Sequence, residues 1–212
     1  LPEAAFFGEE GSAGCDCAYL WVVDPIDGTT NFSRGISECG ISAVLLQNEE
    51  PIVGVVYNPG QKKLYSAVKG QGATCNGRQF RVSKKSFREG LFCTAFSLYR
   101  KEFAERCMNV LREVYAGCND FRRFGSCALE LCYLAEGKCD LYFEYRVFPW
   151  DFGAAVLILQ EAGGVICGEA GEKLPFDRAT PVIAANDQGN LEELVRIVRK
   201  HILDFEYEEI LR

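Results

Sequence analysis

The stretch that most constrains this chain is an apolar segment that ends abruptly in two carboxylates. Residues 19–23 form a short apolar run typical of a buried strand, and Asp24 and Asp27 follow it three residues apart. Pro25 fixes its own φ and favours an extended conformation at Asp24, so the chain leaves the strand in a stiff turn. Two neighbouring carboxylates repel each other unless a proton or a cation lies between them. We therefore interpret Asp24 and Asp27 as ligands of a metal ion.

Small and hydroxyl-bearing residues follow the second carboxylate. Gly28 lets the backbone bend close to a ligand, and Thr29 and Thr30 supply two hydroxyl groups. If a helix or turn begins at Thr29, its free N–H groups face the same point as those hydroxyls, which suits a phosphate oxygen. An Asp-Pro or Asp-Gly pair alone is more often an ordinary turn. The whole stretch predicts a metal site with phosphate bound at residues 28–30.

The string Asp-Pro-Ile-Asp-Gly-Thr-Thr-Asn-Phe at residues 24–32 resembles the signature of the inositol monophosphatase family, a group of magnesium-dependent, lithium-sensitive phosphatases. Trp150-Asp151, followed by Glu-Ala-Gly-Gly at residues 161–164, resembles the second signature of that family. The resemblance extends over essentially the whole chain. It implies a layered α/β (α+β) sandwich, the sugar-phosphatase fold shared with fructose-1,6-bisphosphatases, and a homodimer.

The resemblance also implies a role for each residue of the predicted site. The implied metal ligands are the carboxylates of Glu9, Asp24, Asp27 and Asp151 and the carbonyl of Ile26. The implied phosphate-binding residues are Gly28, Thr29 and Thr30. The implied substrate contacts are Asp27, Gly125, Ser126, Cys127, Glu144 and Asp151, among which Glu144 accepts hydrogen bonds from substrate hydroxyls. The catalytic set is Glu9, Asp27 and Thr29, and Thr29 helps to orient the attacking water.

The residue types favour one kind of phosphatase chemistry. A ligand set made only of oxygen atoms suits a hard cation such as Mg²⁺ rather than zinc. The single histidine, His201, lies in a polar C-terminal pattern, which argues against a histidine phosphoenzyme or a Ser-His-Asp hydrolase. We expect metal-activated water to attack phosphorus in line while a second metal ion stabilises the leaving alkoxide. No covalent phosphoenzyme is needed.

The sequence leaves the substrate open within the family. The pair Asn31-Phe32 favours inositol monophosphatases or the related fructose-bisphosphatases over the nucleotide bisphosphatase branch. The predicted activity is release of phosphate from myo-inositol monophosphate. Fructose 1,6-bisphosphate, histidinol phosphate or another sugar phosphate is the alternative substrate. A relative that binds a phosphorylated ligand without catalysis is a further alternative, against which the intact carboxylates argue.

Composition restricts the partners and the location. The 212-residue chain has a net charge of −7 and no clustered basic residues, so nucleic acid is not an expected partner. No apolar run approaches the ~20 residues that a membrane helix needs. The 11 cysteines are scattered through apolar segments, which fits free thiols in a reducing cytoplasm. The expected partner is a small phosphorylated polyol or sugar.

Hydrophobic patterning predicts strands in the first half and alternating strands and helices in the second. We expect hairpins at residues 41–57 and at Asn76-Gly77, and helices at residues 102–115, 129–136 and 191–202. The local pattern alone, without the family resemblance, predicts Asp151 as the N-cap of another helix.

We divide the chain into a metal-binding half, residues 1–87, and a half that carries Asp151 and the substrate contacts, residues 88–212. The resemblance implies that the family has a further upstream segment of about two helices and a loop. This segment carries another aspartate, which pairs with the water-orienting threonine to activate water. The printed chain begins after that position. We therefore expect it to bind metal and phosphate but to turn over poorly in this form.

Overall fold

The computed structural model describes residues 4–13, 18–96 and 101–202. The strands are β1 (Ala5–Gly8), β2 (Gly11–Ala13), β3 (Tyr19–Asp27), β4 (Gly40–Gln47), β5 (Glu50–Asn58), β6 (Lys63–Val68), β7 (Ala73–Cys75), β8 (Arg78–Gln79), β9 (Leu91–Ala95), β10 (Asp120–Arg122), β11 (Leu141–Val147), β12 (Val165–Cys167) and β13 (Thr180–Ala185). The helices are α1 (Thr29–Ser33), α2 (Ala104–Gly117), α3 (Cys127–Ala135), α4 (Pro149–Glu161) and α5 (Gln188–Ile202), with 3₁₀ turns at Phe87–Glu89 and Lys101–Phe103.

The first sheet has eight strands in the order β2-β1-β3-β4-β5-β6-β7-β8. Apart from the parallel pair β1 and β3, its neighbouring strands are antiparallel. The turn between β4 and β5 places Asn48 and Glu49 at φ 50° and 64°, and the turn between β7 and β8 places Asn76 and Gly77 at φ 50° and 77°. Positive φ at both central residues matches the right-handed twist of a hairpin. Both predicted hairpins are confirmed.

The second sheet has five strands in the order β10-β9-β11-β13-β12. Its first three strands are parallel, and β13 runs antiparallel to both β11 and β12. Successive side chains of β11 point to opposite faces of the sheet, so they pack in two different hydrophobic clusters. Tyr142 packs in one cluster with α3 and α4, whereas Leu141, Phe143 and Tyr145 pack in the other with α2 and α5.

The helices form layers around this second sheet. Helices α3 and α4 lie between the two sheets, whereas α2 and α5 pack together on the opposite face of the second sheet. Residues 152–159 of α4 are buried on every side, as expected for a helix with a sheet on one face and another helix on its flank. The fold is therefore a layered mixture of helices and sheets, as predicted. None of the described helices is both long enough and apolar enough to cross a membrane.

The four predicted helices begin two or three residues away from their predicted starts, α2 at Ala104 and α5 at Gln188. Helix α3 begins at Cys127 rather than Leu129, because Ser126 is the N-cap and its Oγ accepts a hydrogen bond from the Leu129 N–H at 3.3 Å. The N-cap role predicted for Asp151 is wrong. Helix α4 begins at Pro149, which has no N–H to satisfy, and Asp151 is its third residue.

The described strands of the first sheet all lie before residue 80, and those of the second all lie after residue 90. However, α4 belongs to the second half of the chain and packs against the first sheet. The division into residues 1–87 and 88–212 stays a prediction, and its outer ends, residues 1–3 and 203–212, lie outside the described ranges.

A glycine on β5 allows α4 to approach the first sheet closely. A Cβ at Gly54 would lie 2.7 Å from the carbonyl oxygen of Ala154, which is backbone and cannot rotate away. We expect Gly54→Ala to lower the free energy of unfolding by about 2–3 kcal/mol because the helix and the sheet must separate. Urea denaturation measures the loss.

The same substitution in a helix gives the control. Gly189, near the start of α5, is exposed, and its nearest neighbour would be Asp187 Oδ1 at 3.4 Å. Gly189→Ala should raise the free energy of unfolding by about 0.5 kcal/mol, since alanine favours the helix. Unchanged stability of Gly54→Ala would contradict the close packing of α4 on β5.

Candidate metal centre

The two carboxylates of the motif face the same side of β3 because the strand contains a bulge. Asp24 pairs with Ser42 of β4 and Asp27 pairs with Gly40, so three steps along β3 correspond to two along β4. Residues three apart in a regular strand point to opposite faces, and the extra residue at Pro25-Ile26 reverses this. A proline is tolerated at a bulge because the ladder needs no N–H there.

Asp151 joins these two residues from the start of α4. One carboxylate oxygen from each of Asp24, Asp27 and Asp151 lies within 4.8 Å of the others. Asp24 and Asp27 are 1% and 7% exposed, and Asp151 is partly buried. Burial and then repulsion from Asp27 raise the pKa of Asp24 to about 7. Burial likewise raises the pKa of Asp27 to about 6 and holds the pKa of Asp151 well above its usual range.

Hydrogen bonds hold each carboxylate in place. Asp27 Oδ2 accepts from the Ser126 hydroxyl at 2.5 Å and from the Ala128 N–H at 2.8 Å. Asp24 Oδ1 accepts from the Ile26 N–H at 2.8 Å, and Asp151 Oδ2 accepts from the Phe148 N–H, also at 2.8 Å. The orientation of Asp27 is therefore set by the start of α3, which lies far away in the sequence.

The cluster fits a hard divalent cation. Its donors are all carboxylate oxygens, and no lysine or arginine of the described ranges forms an ion pair with any of them. Three carboxylates that are close together and without a cationic partner favour either protonation or a bound cation. Magnesium prefers such oxygen ligands.

Glu9 and Ile26, the other predicted metal ligands, are placed differently. Asp24, Asp27 and Asp151 line a cavity, and Glu9, in the exposed turn between β1 and β2, lines it too. Glu9 is nevertheless outside the cluster of three carboxylates. Its charge adds, after burial, to the raised pKa values of Asp24 and Asp27. The Ile26 carbonyl accepts a hydrogen bond from the Thr29 hydroxyl at 3.3 Å. Their metal-binding roles stay predictions.

The turn predicted to bind phosphate follows the bulge directly. Helix α1 begins at Thr29, and Gly28 precedes it with φ 85°. A Cβ at Gly28 would lie 2.9 Å from the Glu38 carbonyl oxygen, so this left-handed and crowded position requires glycine. Thr29 and Thr30 are exposed and line the cavity with Gly28.

A second loop closes the cavity from the side of α3. The predicted substrate-contact residues of this loop, Gly125, Ser126 and Cys127, all line the cavity. Glu130 Oε1 accepts from the Phe124 and Gly125 N–H groups at 2.6 and 2.7 Å. Asn31 Nδ2 donates to the carbonyl oxygens of Phe124 and Glu38 at 2.6 and 2.7 Å. Asn31, from the first motif, thus joins the two loops.

Glu144 lies on β11 and lines the same cavity. Burial raises its pKa to about 7, and the Tyr142 hydroxyl donates to its Oε2 at 2.7 Å. The structure therefore gathers around one cavity every predicted site side chain apart from that of Ile26, whose predicted ligand is its carbonyl.

Sequence reasoning missed several cavity residues, among them Arg123, Arg146, Phe148 and Trp150. A signal for Arg146 existed, because it follows Glu144 by two residues and a strand repeats its faces with that period. Arg123, next to the Gly125 loop, had no comparable signal. The anchoring roles of Asn31 and Glu130 depend on contacts between distant segments.

The sequence model of a protein family, described as the Inositol monophosphatase family, matches residues 1–203 of this chain. The chain is 35% identical over 204 residues to the Nus factor SuhB of Vibrio cholerae, with 95% of this chain and 74% of that protein covered. It is 39% identical over 169 residues to the Nus factor SuhB of Pasteurella multocida, with 78% and 63% covered. The chain thus spans less than two thirds of the length of the Pasteurella relative.

Solved structures agree with the family match. The extragenic suppressor protein suhB from Bartonella henselae has a TM-score of 0.87 and 33% identity, with 95% of this chain and 78% of that chain covered. Inositol monophosphatase from Anabaena has a TM-score of 0.85 and 33% identity, with 96% and 82% covered.

Proposed function

Because this chain belongs to the inositol monophosphatase family, we propose that it is a Mg²⁺-dependent phosphomonoesterase of phosphorylated polyols or sugars, with myo-inositol monophosphate as the leading candidate substrate. The observation that supports the proposal most directly is the carboxylate cluster of Asp24, Asp27 and Asp151. The cluster lines one cavity together with the turn at residues 28–30 and Glu144. A metal site, an anion-binding turn and an acceptor for hydroxyl groups are what such a substrate requires.

The three clustered carboxylates would hold Mg²⁺, with the carboxylate of Glu9 and the Ile26 carbonyl as the further ligands. When bound, the metal supplies Lewis acidity that activates water and neutralises charge on the phosphate. The chain itself positions the metal ligands and the phosphate. Ser126 and Ala128 hold Asp27, and Gly28 allows the backbone of residues 28–30 to approach the phosphate oxygens.

Thr29 would orient the attacking water through its hydroxyl, which now donates weakly to the Ile26 carbonyl at 3.3 Å. Glu144 would accept hydrogen bonds from the substrate hydroxyls, as a carboxylate held by Tyr142 is able to do. The loop at residues 125–127 would contact the same part of the substrate, because it lines the cavity beside Glu144.

The exact substrate, the location and the partners of this protein are proposals. The curated relatives bear the name Nus factor SuhB, which specifies no phosphatase substrate. Fructose 1,6-bisphosphate, histidinol phosphate and other sugar phosphates are therefore retained as alternative substrates, and non-catalytic binding as an alternative function. The cytoplasmic location, the homodimer and the lack of a nucleic-acid partner stay predictions.

The proposal is tested by Mg²⁺-dependent phosphate release from myo-inositol 1-phosphate, fructose 1,6-bisphosphate and 3′-phosphoadenosine 5′-phosphate, using the complete native protein. We expect release from at least one of the first two and little from the nucleotide, because Asn31-Phe32 is typical of the polyol branch. The rate should fall to background in excess chelator. Metal binding by calorimetry without release from any of the three compounds would contradict this choice of substrate and favour another sugar phosphate or a non-catalytic binding protein.

A further inference from the structure

Two arginines line the cavity but have no part in the proposed phosphate chemistry. Arg123 lies just before the Gly125 loop, and Arg146 follows Glu144 by two residues on β11. Within the described ranges neither arginine forms an ion pair with a carboxylate. The charge of Arg123 opposes the rise in the pKa of Glu144, but without a close ion pair both arginines remain available to an anionic ligand.

The Arg146 guanidinium lies over the ring of Phe148, which belongs to a group of packed aromatic side chains. Its Cζ lies 4.7 Å from the centroid of the Phe148 ring. Phe148 in turn stacks on Trp150, with centroids 4.6 Å apart and planes inclined by 4°. Phe7 packs edge-on against Trp150 at 5.1 Å. Phe148, itself packed on Trp150, therefore supports the Arg146 guanidinium by a cation–π contact before any ligand arrives.

The edge of this guanidinium lacks an acceptor. Arg146 Nε is buried and has no hydrogen-bond partner among the described residues. A buried donor without a partner is costly, and native proteins seldom leave one. The Nε–H of Arg146 is therefore available to an acceptor on a ligand. The planar fork of a guanidinium matches the geometry of phosphate and carboxylate groups.

We propose that Arg146, assisted by Arg123, forms a subsite for a second oxyanion of the substrate, either a phosphate or a carboxylate. The proposal rests on the proposed function, which assigns the reacting phosphate to the carboxylate cluster and residues 28–30. The rest of the cavity is strongly acidic, since Glu9, Asp24, Asp27, Glu144 and Asp151 all line it. A second anionic group near Glu144 would be repelled unless these two guanidinium groups offset that charge.

The test compares two pairs of phosphomonoesters that differ by one anionic group. Fructose 1-phosphate and fructose 1,6-bisphosphate differ by a phosphate, whereas glucitol 6-phosphate and 6-phosphogluconate differ by a carboxylate. In the native protein, kcat/KM should be about ten-fold or more higher for the doubly anionic member of at least one pair, mainly through KM. The pair that shows the preference identifies the oxyanion.

Substitutions then attribute the preference to its residues. Arg146→Met should remove most of the ratio within a pair, and Arg123→Met part of it. Arg146→Lys should keep an intermediate ratio, because the charge remains but the planar fork is lost. Arg122→Met is the matched control, since Arg122 is exposed, pairs with Asp120 and does not line the cavity. Thermal melts of each variant verify folding.

Two results would overturn the subsite. One is equal kcat/KM within both pairs in the native protein, and the other is a preference that survives both Arg146→Met and Arg123→Met. Absence of phosphate release from all four compounds and from myo-inositol 1-phosphate would refute the proposed function instead. Calorimetry with Mg²⁺ would then measure binding of the same four compounds. The subsite would be rejected if fructose 1,6-bisphosphate bound no tighter than fructose 1-phosphate and 6-phosphogluconate bound no tighter than glucitol 6-phosphate.

Discussion

Replacing Asp27 by asparagine should reduce phosphate release by a factor on the order of 10³ or more. Asp27 is only 7% exposed and lies in the carboxylate cluster with Asp24 and Asp151. Its Oδ2 is committed to Ser126 and Ala128. Asparagine keeps the size of the side chain but removes one negative charge from the cluster, so affinity for Mg²⁺ should fall with the rate.

Metal titration and stability separate this effect from misfolding. In metal-free protein, Asp27→Asn should be no less stable than the native chain, because the substitution relieves repulsion with Asp24. Asp177→Asn is the control, since Asp177 is exposed and pairs with Arg178. Near-native phosphate release by the Asp27→Asn variant would refute the role assigned to Asp27.

The free energy of unfolding of the native chain should decrease as pH rises because of Glu130, and replacing Glu130 by glutamine should make this decrease smaller. Glu130 is fully buried, and burial raises its pKa to about 8 from 4.5. Its Oε2 has no hydrogen-bond partner among the described residues, so the charged form is poorly compensated there. Glutamine is neutral at every pH and retains an oxygen for the Phe124 and Gly125 N–H groups.

The sign follows from proton linkage. Between the unfolded and folded pKa values, the folded chain binds more protons at Glu130 than the unfolded chain, so stability falls as pH rises through this window. Glutamine removes this contribution. The free energy of unfolding of Glu130→Gln relative to the native chain should therefore increase by roughly 4 kcal/mol between about pH 5 and about pH 8.

Urea denaturation of both proteins at several pH values measures this difference, in which titration of other groups largely cancels. Glu161→Gln is a matched control, because Glu161 also accepts from two backbone N–H groups, those of Gly70 and Gly72, but is only partly buried. A difference between Glu130→Gln and the native chain that stays constant with pH would show that Glu130 is not kept protonated by the fold.

Local sequence was sufficient for the parts of this protein that depend on neighbouring residues. The apolar run before Asp24, the stiff Pro25 and the permissive Gly28 together predicted a strand, a turn and a helix start, which the structure contains. Asn76-Gly77 predicted a hairpin because few other residues adopt positive φ. Local sequence predicted helix starts less accurately, since Asp151 has the pattern of an N-cap but is the third residue of α4, whereas Ser126 is the N-cap of α3.

The sequence by itself determined the family resemblance, the residue types of the site and most of the strands and helices, because short motifs and hydrophobic periods express local backbone preferences. Only the tertiary structure decided which of those residues meet. The bulge turned Asp24 and Asp27 to one face, α4 brought Asp151 to them, and the end of β11 placed Arg146 on its aromatic support. These contacts join segments distant in the chain, and their geometry follows from how sheets and helices pack rather than from any local pattern.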